Sequence, residues 1–142
     1  MAAVAARSAR PGQSLRPIAS DCLEIRSDPA RGRGLFARAP IAAGALIETA
    51  PVIVVPASER ALLDQTILHD YYFCWGDGPD RASRGAVALG LVALCNHSRR
   101  PRACVRRNEA RQTLDLVALT PIAAGEEITI DYNCPLWFAP QE

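Results

Sequence analysis

The sequence predicts a mainly β domain built from many short strands with little helix. Three observations carry that expectation. Residues 22–26, Cys-Leu-Glu-Ile-Arg, alternate apolar and polar as a strand with one wet face does. β-Branched runs recur at residues 52–55 and 128–130. The turn Pro40-Ile41-Ala42-Ala43-Gly44 reappears as Pro121-Ile122-Ala123-Ala124-Gly125, each copy reading as a turn that feeds a strand. Two copies do not make a solenoid, so the echo is read as a shared turn geometry.

Size and charge bound the possibilities. A chain of 142 residues with 49% hydrophobic residues is one domain with enough apolar content for a core. No apolar run is long enough to span a bilayer, which favours a soluble chain and no membrane partner. A net charge of +1 argues against a general nucleic-acid binder, although arginines cluster over residues 99–111. The 5 cysteines (Cys22, Cys74, Cys95, Cys104 and Cys134) are odd in number and include no C-x-x-C pair, so neither disulfides nor a metal site is expected. Reduced thiols in a cytoplasm follow. All 16 basic residues are arginine, a bias of G+C-rich genomes that points to a bacterial source.

Taken in order, residues 1–20 are rich in Ala and Arg with no acid and read as a disordered leader. After the strand from Cys22, Asp28-Pro29 turns the chain into Gly32-Arg33-Gly34, where the backbone can pass close to a ligand. Residues 52–55 read as a short buried strand. Ser58 then caps a helix to about Leu68, with Ala61, Leu62, Ile67 and Leu68 inward. Tyr71, Tyr72, Phe73 and Trp75 form a small satellite core, with His69 exposed. Residues 102–108 and 112–119 read as a hairpin with Leu114, Leu116 and Ala118 on one face. An apolar run from Ala86 ends in Asn96-His97-Ser98. A final strand over residues 128–130 delivers Tyr132 to a cleft, and Asn133 and Pro135 stop it.

Gly32-Arg33-Gly34-Leu35-Phe36-Ala37, then Asn96-His97-Ser98, then Gly125-Glu126-Glu127-Ile128 with Asp131-Tyr132 resemble, in that order, the SET-domain protein lysine methyltransferases. The resemblance places the domain at residues 21–132, with an insertion over about 56–85 and a short segment, 133–142, that lacks the zinc-binding cysteines many relatives carry. It implies that the strands form several small sheets with a C-terminal segment threaded beneath a loop, and S-adenosyl-L-methionine as cofactor. Tyr132 is then the catalytic tyrosine, with Tyr72 lining the lysine channel and Tyr71 as its competitor. The main chain of Arg33, Gly34, Leu35 and Phe36 and the side chain of Asn96 hold the methionine part. The backbone of His97 reads the adenine, its imidazole being either a tie between two loops or a ligand, and Trp137 or Phe138 stacks on the ring. The implied partner is a protein presenting a lysine, a histone among the candidates, reached in the cytoplasm or after delivery into a host cell.

One departure stands out. The family commonly continues Asn-His-Ser-Cys-x-Pro-Asn, whereas Arg102 takes the last position here. A guanidinium there has to turn outward or find an acid. Failing that, the chain is a weak or inactive binding module for a protein partner. Ile130 and Val105 occupy the positions where relatives that stop at one methyl tend to carry a second tyrosine.

Overall fold

Seven strands, numbered β1 to β7, and one α-helix appear in the computed structural model among the described residues, 16–76 and 83–132. β1 (Leu23–Asp28) and β2 (Gly32–Ala37) form an antiparallel hairpin of their own. The other strands, β3 (Leu46–Val55), β4 (Phe73–Trp75), β5 (Arg84–Ala88), β6 (Ala103–Asn108) and β7 (Thr113–Ala118), make a five-stranded sheet in the order β4-β5-β3-β7-β6. The expected mainly β fold with little helix is what forms. No helix among the described residues is long and apolar enough to cross a membrane.

The strand expected at residues 52–55 is the end of the longer β3, but it is not a buried strand, since of these residues Val52 alone is buried and Ile53 is 55% exposed. Pairing with β7 ends at Pro51, and pairing with β5 begins at Val52. Proline has no N–H to give a ladder, so it sits where one partner hands over to the other. On β7, Leu114, Leu116 and Ala118 face inward as expected, each no more than 3% exposed.

The echoed turns clasp one another. Ile41 and Ile122 exchange both backbone hydrogen bonds, at 2.8 and 2.9 Å. Gly44 N–H donates to Ala118, and Gly125 N–H donates to Ala37. Ala118 N–H in turn donates to Ala45, and Ala37 N–H to Glu126. Every bond has a counterpart 81 positions along the chain, so the repeat is a local two-fold pairing as well as a turn geometry. Gly44 and Gly125 have φ of 80° and 87°, a region that L side chains rarely adopt.

Two expectations are corrected. The helix is short, Ala57–Leu63, and its N-cap is Pro56 rather than Ser58, followed by a separate 3₁₀ turn Ile67–Asp70. Of its expected inward face, Leu62 and Ile67 are 63% and 76% exposed, and Leu63 is the buried residue instead. Seven residues are too few for a periodic face to be defined. The final strand is extended but joins no ladder. It makes single bridges, Glu127 with Phe36 and Ile130 with His97, because it runs between β2 on one side and the Asn96 loop on the other, meeting each only briefly. Ile128, Thr129 and Ile130 are all buried there, the isoleucines contributing on the order of 2 kcal/mol each.

Candidate active site

The segment 126–132 positions the site from both sides. On one side Ile128 N–H donates to Leu35 and Ala37 N–H donates to Glu126, which ties the segment to β2. On the other, Ile130 N–H donates to Asn96, and Ser98 N–H donates to Ile130. This parallel bridge turns the N–H and C=O of His97 itself away from the segment. The result is that the three motifs, separate in sequence, converge on one place.

At the end of the segment the Tyr132 hydroxyl donates to the carbonyl of Cys95 at 2.8 Å. The backbone N–H of Tyr132 donates to Nδ1 of His97 at 3.0 Å, and the two rings lie 5.3 Å apart. The His97 side chain is therefore a tie between loops. In that tie the imidazole is the acceptor. An accepting Nδ1 places the ring proton of the neutral imidazole on Nε2. Cys95 is buried, and desolvation, reinforced by the Glu48 and Glu127 carboxylates, pushes its thiol far above the ordinary range. It stays protonated.

The second part of the site is a cradle at Gly34. Asn96 Nδ2 donates to Glu127 Oε1 at 2.7 Å and to the carbonyl of Arg33 at 3.2 Å. A Cβ at Gly34 would stand 2.6 Å from Glu127 Oε1, 2.9 Å from Asn96 Nδ2 and 3.2 Å from the Phe36 ring. Leu35 is wholly buried and faces the core, so only its backbone borders this place, with its carbonyl taken by Ile128. The Phe36 ring also carries the guanidinium of Arg26 at 5.0 Å.

Tyr72 is held by Arg60 and Asp64. Its hydroxyl donates to Asp64 and accepts from Arg60 Nε at 2.9 Å, and its ring packs where a Cβ on Gly85 would stand 3.1 Å away. Burial and the Asp64 hydrogen bond raise its pKa, against the opposing pull of Arg60. It ties the short helix to β5. Trp137 and Phe138 lie outside the described residues.

Two contributors escaped the sequence reading. Glu48 on β3 accepts from the N–H groups of Leu91 and Val92, both at 2.8 Å, and so holds the 3₁₀ turn Leu91–Leu94 that leads into Asn96. Glu127 was read as part of a turn motif, yet its side chain joins Asn96 to Arg31. An acid preceding a β-branched run gives no sign that it points inward.

Arg102 resolves as the sequence reading required. Its guanidinium finds Glu126 at 3.5 Å and the carbonyl of Glu127 at 3.4 Å, while its backbone N–H donates to the Thr129 hydroxyl. The side chain is 40% exposed. Arg102→Ala is therefore expected to cost less than about 1 kcal/mol of stability, the range of exposed ion pairs. Urea unfolding measures it, and a loss beyond about 2 kcal/mol would contradict this account of the loop.

A small-sheet scaffold that brings a GxG strand, an Asn-His-Ser loop and a strand-end tyrosine together defines the SET class. The SET domain profile matches residues 32–133. A histone-lysine N-methyltransferase of Schizosaccharomyces pombe, specific for H3 lysine-37, is 33% identical over 123 residues, covering 86% of this chain and 80% of that protein. A Plasmodium falciparum protein assigned as a histone methyltransferase superposes with a TM-score of 0.59 at 24% identity, over 82% of this chain and 96% of that one. A Neurospora SET domain protein, a histone lysine methyltransferase, superposes with a TM-score of 0.61 at 22% identity, over 84% of this chain and 55% of that one. At such identities the superpositions speak for the fold alone. The chain belongs to the SET domain family and is a protein-lysine methyltransferase.

Proposed function

We propose that the chain transfers methyl groups to a lysine of a histone-like protein, with Tyr132 as the catalytic tyrosine and the Gly34–Asn96 cradle as the seat of the methionine part of S-adenosyl-L-methionine. The observation that carries this is the Tyr132 hydroxyl held on the Cys95 carbonyl, one residue from Asn96.

The residues present fit the cofactor. The close approach at Gly34 is one that a Cβ would fill, and Asn96 turns its Nδ2 to Glu127 and Arg33, which leaves Oδ1 to accept from the ammonium. The outward-turned backbone of His97 suits an adenine edge. When bound, the cofactor supplies a methyl group activated on a sulfonium. Trp137 remains the proposed stacking partner of the adenine. As in the family, the segment carrying Tyr132 is proposed to pass beneath a loop, and its bonds to β2 and to the Asn96 loop support that course.

A lysine amine attacks only when neutral, and desolvation in an apolar channel lowers its pKa. The proton of the Tyr132 hydroxyl is committed to Cys95, so its oxygen offers lone pairs to an amine N–H and turns the nitrogen lone pair inward. Holding the nitrogen in line contributes the proximity term, several kcal/mol. Tyr72, its hydroxyl bonded to Arg60 and Asp64, is proposed to line the lysine channel from the insertion. The arginine at position 102 is accommodated, which favours an active enzyme over an inactive module.

The domain limits, 21–132 with an insertion over 56–85, belong to the same proposal, as do a bacterial source and a cytoplasmic site of action or delivery into a host cell. The chain has no lysine of its own to methylate.

The test is mass spectrometry of histone H3 incubated with the protein and excess cofactor. Absence of any methylated lysine would overturn the substrate assignment. The expected product is di- or trimethylated. Val105 and Ile130 are buried aliphatics with no hydroxyl to anchor a water that would fill the space of a methylated nitrogen. Product that stays monomethylated at long times would contradict that expectation.

A further inference from the structure

An asparagine amide has two unlike ends, an acceptor oxygen and a donor nitrogen, and a half-turn exchanges them. For Asn96 that choice decides function. An ammonium ligand needs the oxygen, and an NH₂ presented to it would repel. At Asn96 the two neighbours of the nitrogen are the Glu127 carboxylate at 2.7 Å and the Arg33 carbonyl at 3.2 Å. The carbonyl and the ionised carboxylate accept only, so the nitrogen is compelled to face them.

Glu127 is in turn held in place. Its backbone bridges Phe36, and its other carboxylate oxygen accepts from Arg31 Nη1 at 2.7 Å. The Glu127 side chain is only 12% exposed, and a charge so placed needs its counter-ion. Arg31 is presented by a tight turn, in which Asp28 Oδ1 accepts from the N–H groups of Ala30 and Arg31 at 2.7 and 3.1 Å. Gly34 leaves the space through which the carboxylate reaches Asn96.

We infer that Glu127 is a positioning residue, held by Arg31, whose carboxylate fixes the Asn96 amide with Oδ1 toward the ammonium of the cofactor. The inference rests on the cofactor reading above and adds a residue that acts only through Asn96. In Glu127→Gln, the new amide keeps its oxygen on Arg31 and turns its NH₂ toward Asn96, which leaves only the longer contact to the Arg33 carbonyl to hold the flip. In Glu127→Asp the charge remains beside Arg31, but the side chain is one methylene short of Asn96.

The test is calorimetric titration of S-adenosyl-L-methionine into the full chain, its Asn96→Ala and Glu127→Gln variants, and the double variant, with urea unfolding of each without ligand. The expected result is at least a tenfold loss of affinity for each single variant, and a double variant within twofold of Asn96→Ala alone, since residues in one network are not additive. Glu127→Asp is expected to bind like Glu127→Gln, and it serves as the measurement if the latter does not fold. A Glu127 variant that binds like wild type, or one that loses affinity equally with and without Asn96, overturns this inference alone. A wild-type chain that takes up no cofactor, or an Asn96→Ala variant that binds normally, overturns the cofactor reading and this inference with it.

Discussion

Replacing Tyr132 by phenylalanine lowers turnover at least tenfold, roughly 1.4 kcal/mol of barrier, while cofactor affinity stays within a few-fold. The substitution removes one oxygen and keeps the ring that packs beside His97. What is lost is the hydroxyl bonded to the Cys95 carbonyl, and with it the acceptor proposed to orient the amine. The tie from the Tyr132 backbone to Nδ1 of His97 does not involve the hydroxyl, so the segment keeps its course. Single-turnover rates with saturating peptide and cofactor isolate the chemical step. A variant as fast as wild type would move the chemistry away from Tyr132.

Replacing Gly34 by alanine is expected to weaken cofactor binding at least tenfold, about 1.4 kcal/mol, and to destabilise the fold by about 1 to 3 kcal/mol, the usual cost of overpacking. The added methyl would meet Glu127 Oε1 at 2.6 Å and Asn96 Nδ2 at 2.9 Å, so both ends of one hydrogen bond have to move. No positive φ is involved here, so the cost is one of space rather than backbone strain. Calorimetry with the cofactor and urea unfolding of the free chain separate the two effects. Unchanged affinity in a folded variant would show that the cradle is not where the methionine part sits.

Local patterns carried a good deal of this. The hairpin faces at Leu114, Leu116 and Ala118 and the repeated Pro-Ile-Ala-Ala-Gly turn reappear in the structure, and the strand expected from residue 22 forms as β1, although its alternation does not become a buried face, since Ile25 is 45% exposed. Strand period and turn chemistry are properties of neighbouring residues. The short helix was misjudged for the converse reason. Leu62 and Ile67 follow an apolar pattern yet remain exposed, since no element lies over them among the described residues. The segment before Tyr132 has the composition of a strand but pairs only through single bridges. Composition sets its extended backbone and not its partners.

From the sequence alone came the strand-rich class, the three ordered motifs and the residues of the family site, because side-chain chemistry and short-range periodicity are written residue by residue. The tertiary structure alone decided that Ile41 pairs with Ile122, that the His97 imidazole accepts from the Tyr132 backbone, and that Tyr72 ties a helix to β5. It also decided that Glu48 and Glu127 turn inward to hold the Asn96 loop, and that Arg102 turns outward to Glu126. A carboxylate or guanidinium looks the same in sequence whether it meets water or a buried donor. Which it meets depends on contacts between residues tens of positions apart, and those exist only once the chain has closed on itself.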